Sequence, residues 1–186
     1  MLIVKPQNKS INDAVDFLNK GGIVICPTDT VYGFLADATN KKAVDKIYKI
    51  KKRSKSKPLP LFVKDLKMAK KLADIDNKQI KILKDKWPGK YTFILPSSRG
   101  AKVTKQSIAL RIPNYKFLNS LLRKINKPLA QTSVNISGQK ALIKSADIEG
   151  QFSGQKILFI DAGNLKKSKP SKIVDLTEDK IKFLRK

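Results

Sequence analysis

Apolar residues recur along this chain with two periods, and the changes of period divide it into alternating strands and helices. Leu2-Ile3-Val4 reads as a short strand. Ser10 is placed to cap a helix that runs to about Lys20, with Ala14, Val15, Phe17 and Leu18 on one face and Gly21-Gly22 ending it. Ile23-Val24-Ile25-Cys26 is a buried strand that runs straight into Pro27-Thr28-Asp29-Thr30-Val31-Tyr32-Gly33. A second helix opens at Thr39 or Asn40, turns Val44, Ile47 and Tyr48 inward, and carries Lys51 and Arg53 at its carboxyl end. Pro58 and Pro60 bracket the start of a strand at Leu61-Phe62-Val63.

A helical stretch from Asp65 to about Lys86 is expected to break near Asp74–Asp76. Trp87-Pro88-Gly89 then turns the chain into a strand, Tyr91–Leu95, and Ile108–Ile112 forms another, stopped by Pro113. Phe117, Leu118, Leu121 and Leu122 make one face of a helix, and Pro128–Thr132 a strand entering Ser133. A polar, loop-like stretch follows, then strands at Ile157–Ile160, Ile173–Leu176 and Ile181–Leu184. Strand–helix alternation with hairpin-like strands at the end predicts one α/β domain over residues 1–186, a mixed sheet with helices packed on it. There is no internal repeat and no linker, and Lys166–Lys172 is the expected mobile surface loop.

Composition narrows the chemistry. The formal net charge is +25, which favours a polyanionic partner such as RNA or a nucleotide. Only five of the 40 basic residues are arginines (Arg53, Arg99, Arg111, Arg123, Arg185), and a lysine excess with many Ile and Asn also fits an AT-rich genome. The arginines are therefore the more informative cations, since guanidinium forks read anions specifically. With no histidine there is no Ser-His-Asp triad, no Cys-His pair and no His-ligated zinc. A single cysteine, Cys26, excludes an internal disulfide. No apolar run approaches a membrane span and the amino terminus lacks a signal pattern, so a cytoplasmic protein without membrane attachment is expected.

Individual motifs carry two readings each. Pro27–Gly33 follows a buried strand, at the edge where α/β proteins place ligands, yet its Thr and Asp residues also suit a simple turn. Lys51, Arg53, Lys55 and Lys57 could converge on phosphate, or form a solvated helix end that complements the macrodipole. Arg111 alternates with Leu110 and Ile112 in an apolar strand, and on such a face it needs an anion or a carboxylate partner. Ser133 and Asn135, followed by Ser137-Gly138, lie past a strand end where a hydroxyl, an amide and backbone N–H groups can point one way.

Taken in order, the motifs are specific. Pro27–Gly33, Lys51-x-Arg53 with Lys57-Pro58-Leu59, Trp87-Pro88-Gly89, Leu110-Arg111-Ile112-Pro113 and Ser133-x-Asn135-x-Ser137-Gly138 resemble the YrdC-like threonylcarbamoyl-adenylate synthase family. The resemblance runs with family-like spacing from about Ile11 to beyond Gly138, and less distinctly to about Asp175. It implies a YrdC/RibB-like fold, a twisted mixed β-sheet flanked by helices with a concave, positively charged groove. It implies a reaction in which L-threonine, bicarbonate and ATP, with Mg²⁺, give threonylcarbamoyl-adenylate and pyrophosphate. A partner enzyme then transfers the threonylcarbamoyl group to tRNAs reading ANN codons.

The resemblance also assigns residues. Lys51, Arg53, Ser133 and Asn135 match the signature of two basic and two polar residues and are the expected catalytic group, with Lys57 and Ser137 beside them at ATP. Thr28, Thr30, Tyr32 and Arg111 are the expected threonine contacts, and no protein metal ligand is expected. Arg53 and Lys51 would hold the pyrophosphate end, Ser133 and Asn135 the α-phosphate. Because charge develops on phosphoryl oxygens, positioning and cations suffice without a side-chain nucleophile. Two positions depart from the family pattern: Ser54 stands where proline is common, and Pro60-Leu61-Phe62 where many relatives place a polar residue or histidine. The length resembles the short, single-domain branch. The alternatives are a non-catalytic module that binds tRNA or rRNA in the same groove, and a carbamoyl-transfer domain of the hydrogenase-maturation type. The latter usually comes with zinc-finger segments, for which one cysteine is too few.

Overall fold

Residue parity along the strands explains the whole architecture. In the computed structural model, which describes residues 1–98, 106–178 and 180–185, the strands are β1 (Leu2–Val4), β2 (Ile23–Cys26), β3 (Gly33–Asp37), β4 (Leu61–Phe62), β5 (Tyr91–Pro96), β6 (Ser107–Arg111), β7 (Leu129–Ser133), β8 (Ile157–Ile160), β9 (Lys172–Asp175) and β10 (Lys182–Arg185). The helices are α1 (Asn8–Asn19), α2 (Lys41–Lys51), α3 (Leu66–Lys70), α4 (Asn77–Lys86), α5 (Lys116–Ile125) and α6 (Ser145–Phe152). Arg99 lies outside the described residues.

The strands form one mixed sheet in the order β1-β8-β2-β3-β7-β4-β6-β5-β9-β10. Ile23, Ile25, Phe34, Leu110, Phe93 and Val174 point to one face, where α2, α3, α4 and α6 cover them with Ile47, Met68, Leu83 and Phe152. Val24, Cys26, Leu35 and Leu158 point to the other face, under Ala14 and Leu18 of α1 and Leu118, Leu121 and Leu122 of α5. That second layer extends only as far as Leu129 and Phe62. Beyond it, the same face of β5, β6 and β9 carries Thr92, Ala109, Arg111 and Ile173, and among the described residues no helix lies over them. A sheet covered on one side from β8 to β9 and on the other only as far as β4 leaves a cleft, and that is where the site lies.

Most sequence expectations hold to within two residues, and three do not. The first helix begins at Asn8, so Ser10 is not its cap: it sits in the first turn, where its Oγ accepts from Gln7 N at 2.8 Å. Strand β3 was not expected, although it pairs with β2 and β7 in the middle of the sheet. Helix α6 occupies part of the stretch expected to be loop. The end of α1 is as expected: Gly21 takes a left-handed φ of 72°, and Gly21 N and Gly22 N return to Leu18 O and Phe17 O.

Candidate active site

Two buried cations tie the five sequence motifs together. The first is Lys51, at the last turn of α2. Asn40 starts this helix by accepting from Ala43 N at 3.1 Å. Lys52 ends it in the left-handed region, φ 51°, with Lys52 N and Arg53 N bonded back to Lys49 O and Tyr48 O. The Lys51 side chain is 2% exposed and turns under the end of β7. Its Nζ donates to Ser133 O at 2.6 Å, Asn135 O at 3.0 Å and Asn135 Oδ1 at 2.9 Å. An ammonium has three donors, and all three are used. Ser137 N returns a bond to Lys51 O at 2.8 Å, so backbone and side chain both join the helix to this segment. Burial pushes the ammonium down to about 8, and the nearby Arg53 charge adds to the effect.

The second is Arg111. Its guanidinium lies 5.6 Å from the Phe62 ring centroid, on the strand paired with its own. Nε donates to Gly89 O at 2.9 Å and Nη2 to Asp29 Oδ1 at 2.5 Å. The Asp29 carboxylate also accepts from Asn114 N at 3.2 Å. The Pro27–Gly33 loop, the Trp87-Pro88-Gly89 turn and the Leu110–Pro113 strand end thus converge on one side chain. Gly89 is required there, since a Cβ would stand 2.6 Å from Lys86 O. The anion partner expected for Arg111 is this carboxylate. Among the described residues nothing accepts from Nη1, which leaves that corner of the fork for a ligand.

Around these two anchors lies a cavity of about 280 Å³ lined by Thr30, Arg53, Arg111, Gln131, Ser133 and Arg185, among others. Its lining includes three arginines and no carboxylate among the described residues. Arg53 clasps its own loop, donating to Lys57 O at 3.0 Å and Pro58 O at 3.2 Å. Thr28 Oγ1 donates to Val31 O at 2.7 Å, so in the 3.0 Å contact between the two hydroxyls Thr30 donates to Thr28. Thr30 Oγ1 therefore offers lone pairs to the cleft. Ser133 Oγ likewise spends its proton on Asn135 Oδ1 at 2.7 Å. A larger cavity of about 1020 Å³, by α4 and the turn before β10, contains none of the motif residues.

The structure gathers Thr30, Arg53, Arg111 and Ser133 at the cleft and places the other expected residues behind or beside it. Thr28, Lys51 and Asn135 are buried supports. Lys57 and Ser137 are exposed and outside the cavity lining. Tyr32 belongs to the opposite face: it is fully buried, stacks edge-on with Phe159, donates to Gly163 O at 2.6 Å and accepts from Ala162 N at 3.0 Å. Its parity within the loop dictates this, since Phe34 two residues on shares the same core.

The family model for Sua5/YciO/YrdC proteins, described as telomere recombination, matches residues 16–186. The chain belongs to the Sua5/YciO/YrdC family. It is 38% identical over 177 residues to a Methanocaldococcus jannaschii protein named "Putative threonylcarbamoyl-AMP synthase", covering 92% of this chain and 84% of that one. The crystal structure of Escherichia coli YciO superposes with a TM-score of 0.89 at 27% identity, covering 100% of this chain and 94% of that chain. The P. abyssi Sua5 structure complexed with L-threonine gives 0.90 at 28% identity, covering 99% of this chain and 56% of that one. The chain therefore spans little more than half of Sua5 but most of the shorter Sua5/YciO/YrdC relatives.

Beyond the family motifs, the sequence reading missed a second wall of the cleft. Arg185 of β10 donates Nε to Ser171 O at 2.7 Å and Nη2 to Ser171 Oγ at 3.2 Å, and Ser171 Oγ meets Thr92 Oγ1 at 2.9 Å. Burial and then the charge of Arg111 push the Arg185 guanidinium down, as two cations facing one cleft require. The scarcity of arginine was the available signal. Among the described residues no helix is long and apolar enough to cross a membrane.

Proposed function

We propose that this chain is an L-threonylcarbamoyladenylate synthase, a nucleotidyltransferase that joins L-threonine, bicarbonate and the AMP portion of ATP and releases pyrophosphate. The product would serve a partner enzyme that modifies tRNAs reading ANN codons. The observation that carries this reading is the cleft itself: three arginines converge with Thr30 and Ser133 on a cavity lined, among the described residues, by no carboxylate, in a chain of this family. The relative named for this activity supports the substrate, as does the relative crystallised with threonine.

The chemistry follows from the donors and acceptors. At one end the free Nη1 of Arg111 suits a carboxylate and the lone pairs of Thr30 suit an ammonium, the two ends of an amino acid. At the other, Arg53 and the Ser133–Gly138 segment suit phosphate oxygens. Bicarbonate and the threonine amine form a carbamate with loss of water, and the carbamate oxygen attacks the α-phosphorus as pyrophosphate leaves. Arg53 would take up charge on the leaving group, and no side chain need form a covalent bond. Among the described residues no three or more cysteine, aspartate or glutamate side chains are grouped to hold a metal, and Asp29 is engaged by Arg111. Mg²⁺ would enter with ATP as part of the substrate.

The test is pyrophosphate release by purified protein supplied with MgATP, bicarbonate and L-threonine. Release that requires both bicarbonate and threonine is the expected result. Release that proceeds unchanged without threonine would sink the assignment.

A further inference from the structure

Lys51 has the sequence position of a phosphate-binding cation, yet its geometry is that of a strut. Its three donors meet three protein acceptors at 2.6, 2.9 and 3.0 Å, and a phosphate oxygen could be reached only by breaking one of those bonds. The acceptors all belong to Ser133 and Asn135. Asn135 in turn closes its own loop, donating Nδ2 to Ile136 O at 2.8 Å and Gln139 O at 2.9 Å, while its Oδ1 accepts from both Lys51 and Ser133. Among the described residues, Val134 N and Ser137 N have acceptors, Tyr32 O and Lys51 O, whereas the amides of Asn135, Ile136 and Gly138 have none within the chain. Successive free amides at Asn135 and Ile136, with Gly138 N close behind them in a turn pinned by Ser137 N, suit an anion. Without a buried cation beneath it, the two inward carbonyls of Ser133 and Asn135 would face each other unpaired.

We propose that Lys51 is a positioning residue, which holds the Ser133–Gly138 segment in its phosphate-receiving shape and does not itself contact the nucleotide. The inference rests on reading the cleft as a nucleotide site, but its first test does not. The ammonium works by number and direction of donors as well as by charge, so arginine in its place supplies charge without fitting the three-acceptor socket. Deprotonation removes one of the three donors and loosens the segment. Among the described residues the charge that acts on Lys51 is Arg53 on its own helix end; the segment packed against it brings only carbonyls, a hydroxyl and an amide.

Amide hydrogen exchange of the nucleotide-free protein tests this directly. In Lys51→Met, exchange of the bonded Val134, Ser137 and Gln139 amides should rise at least about tenfold while α1 and β2 keep their protection. Lys51→Arg should also fail to restore that protection. In the wild type, exchange of the same amides, corrected for its intrinsic pH dependence, should rise as the pH passes about 8. The wild-type measurement stands even if both variants fold poorly. Unchanged protection in Lys51→Met, together with lost MgATP binding, would overturn the proposal and make Lys51 a direct phosphate ligand. Loosened amides in a protein that makes no adenylate would leave the strut intact and refute the proposed activity instead.

Discussion

Arg111 and Asp29 form a buried ion pair at 2.5 Å, with their side chains 2% and 8% exposed, and this pair fixes one end of the cleft. It holds the Pro27–Gly33 loop against a strand three elements away in the sheet order, and it aims the rest of the guanidinium at the cavity. A buried pair of this kind adds little net stability over an apolar replacement, but removing one partner strands the other charge.

Asp29→Ala should therefore cost about 3–5 kcal/mol of folding stability. Urea denaturation checks this, and a loss below 1 kcal/mol would show that Arg111 finds water when its partner is gone. The conservative Asp29→Asn variant should keep the loop in place while raising KM for threonine, because Arg111 loses the charge that orients it.

Arg53→Ala should lower turnover at least about tenfold, the worth of one charge-assisted contact at the leaving pyrophosphate. Arg53→Lys should recover little, since a lysine cannot bridge Lys57 O and Pro58 O while also facing the cavity. Steady-state rates at saturating substrate decide both.

Tyr32→Phe separates structure from binding. Removing the hydroxyl leaves Gly163 O and Ala162 N without their partner, a loss of about 1–3 kcal/mol. Thermal denaturation should register that loss while KM for threonine changes less than twofold. A large rise in KM with unchanged stability would restore Tyr32 to the threonine site.

The same residues show why the site was only partly legible in the sequence. The ordered motifs placed Thr30, Arg53, Arg111 and Ser133 together, because each follows a strand or helix end whose position in an α/β sheet is constrained. What the motifs could not reveal was direction. Lys51 sits in a helix rich in exposed lysines, and nothing local marks it as the one that turns inward. Arg111 was expected to need an anion, but Asp29 is 82 residues away and is one of several carboxylates able to serve.

The fold was misread where burial erases periodicity. Strand β3 is buried at every position, so its apolar run lacks the alternation that marks a half-exposed strand. Helix α6 turns only Ile148 and Phe152 fully into the core and contains Gly150, too little pattern to rise above a polar loop. Ser10 is a good cap residue that serves one turn later, because helix boundaries depend on where the preceding chain is held.

The most direct test of the proposed activity is to supply MgATP, L-threonine and ¹³C-bicarbonate and to analyse the products by mass spectrometry. A threonylcarbamoyl-adenylate carrying one ¹³C, formed in step with pyrophosphate and much reduced in Arg53→Ala, is the predicted result. Folded protein that binds ATP and threonine yet yields only unlabelled nucleotide would contradict it.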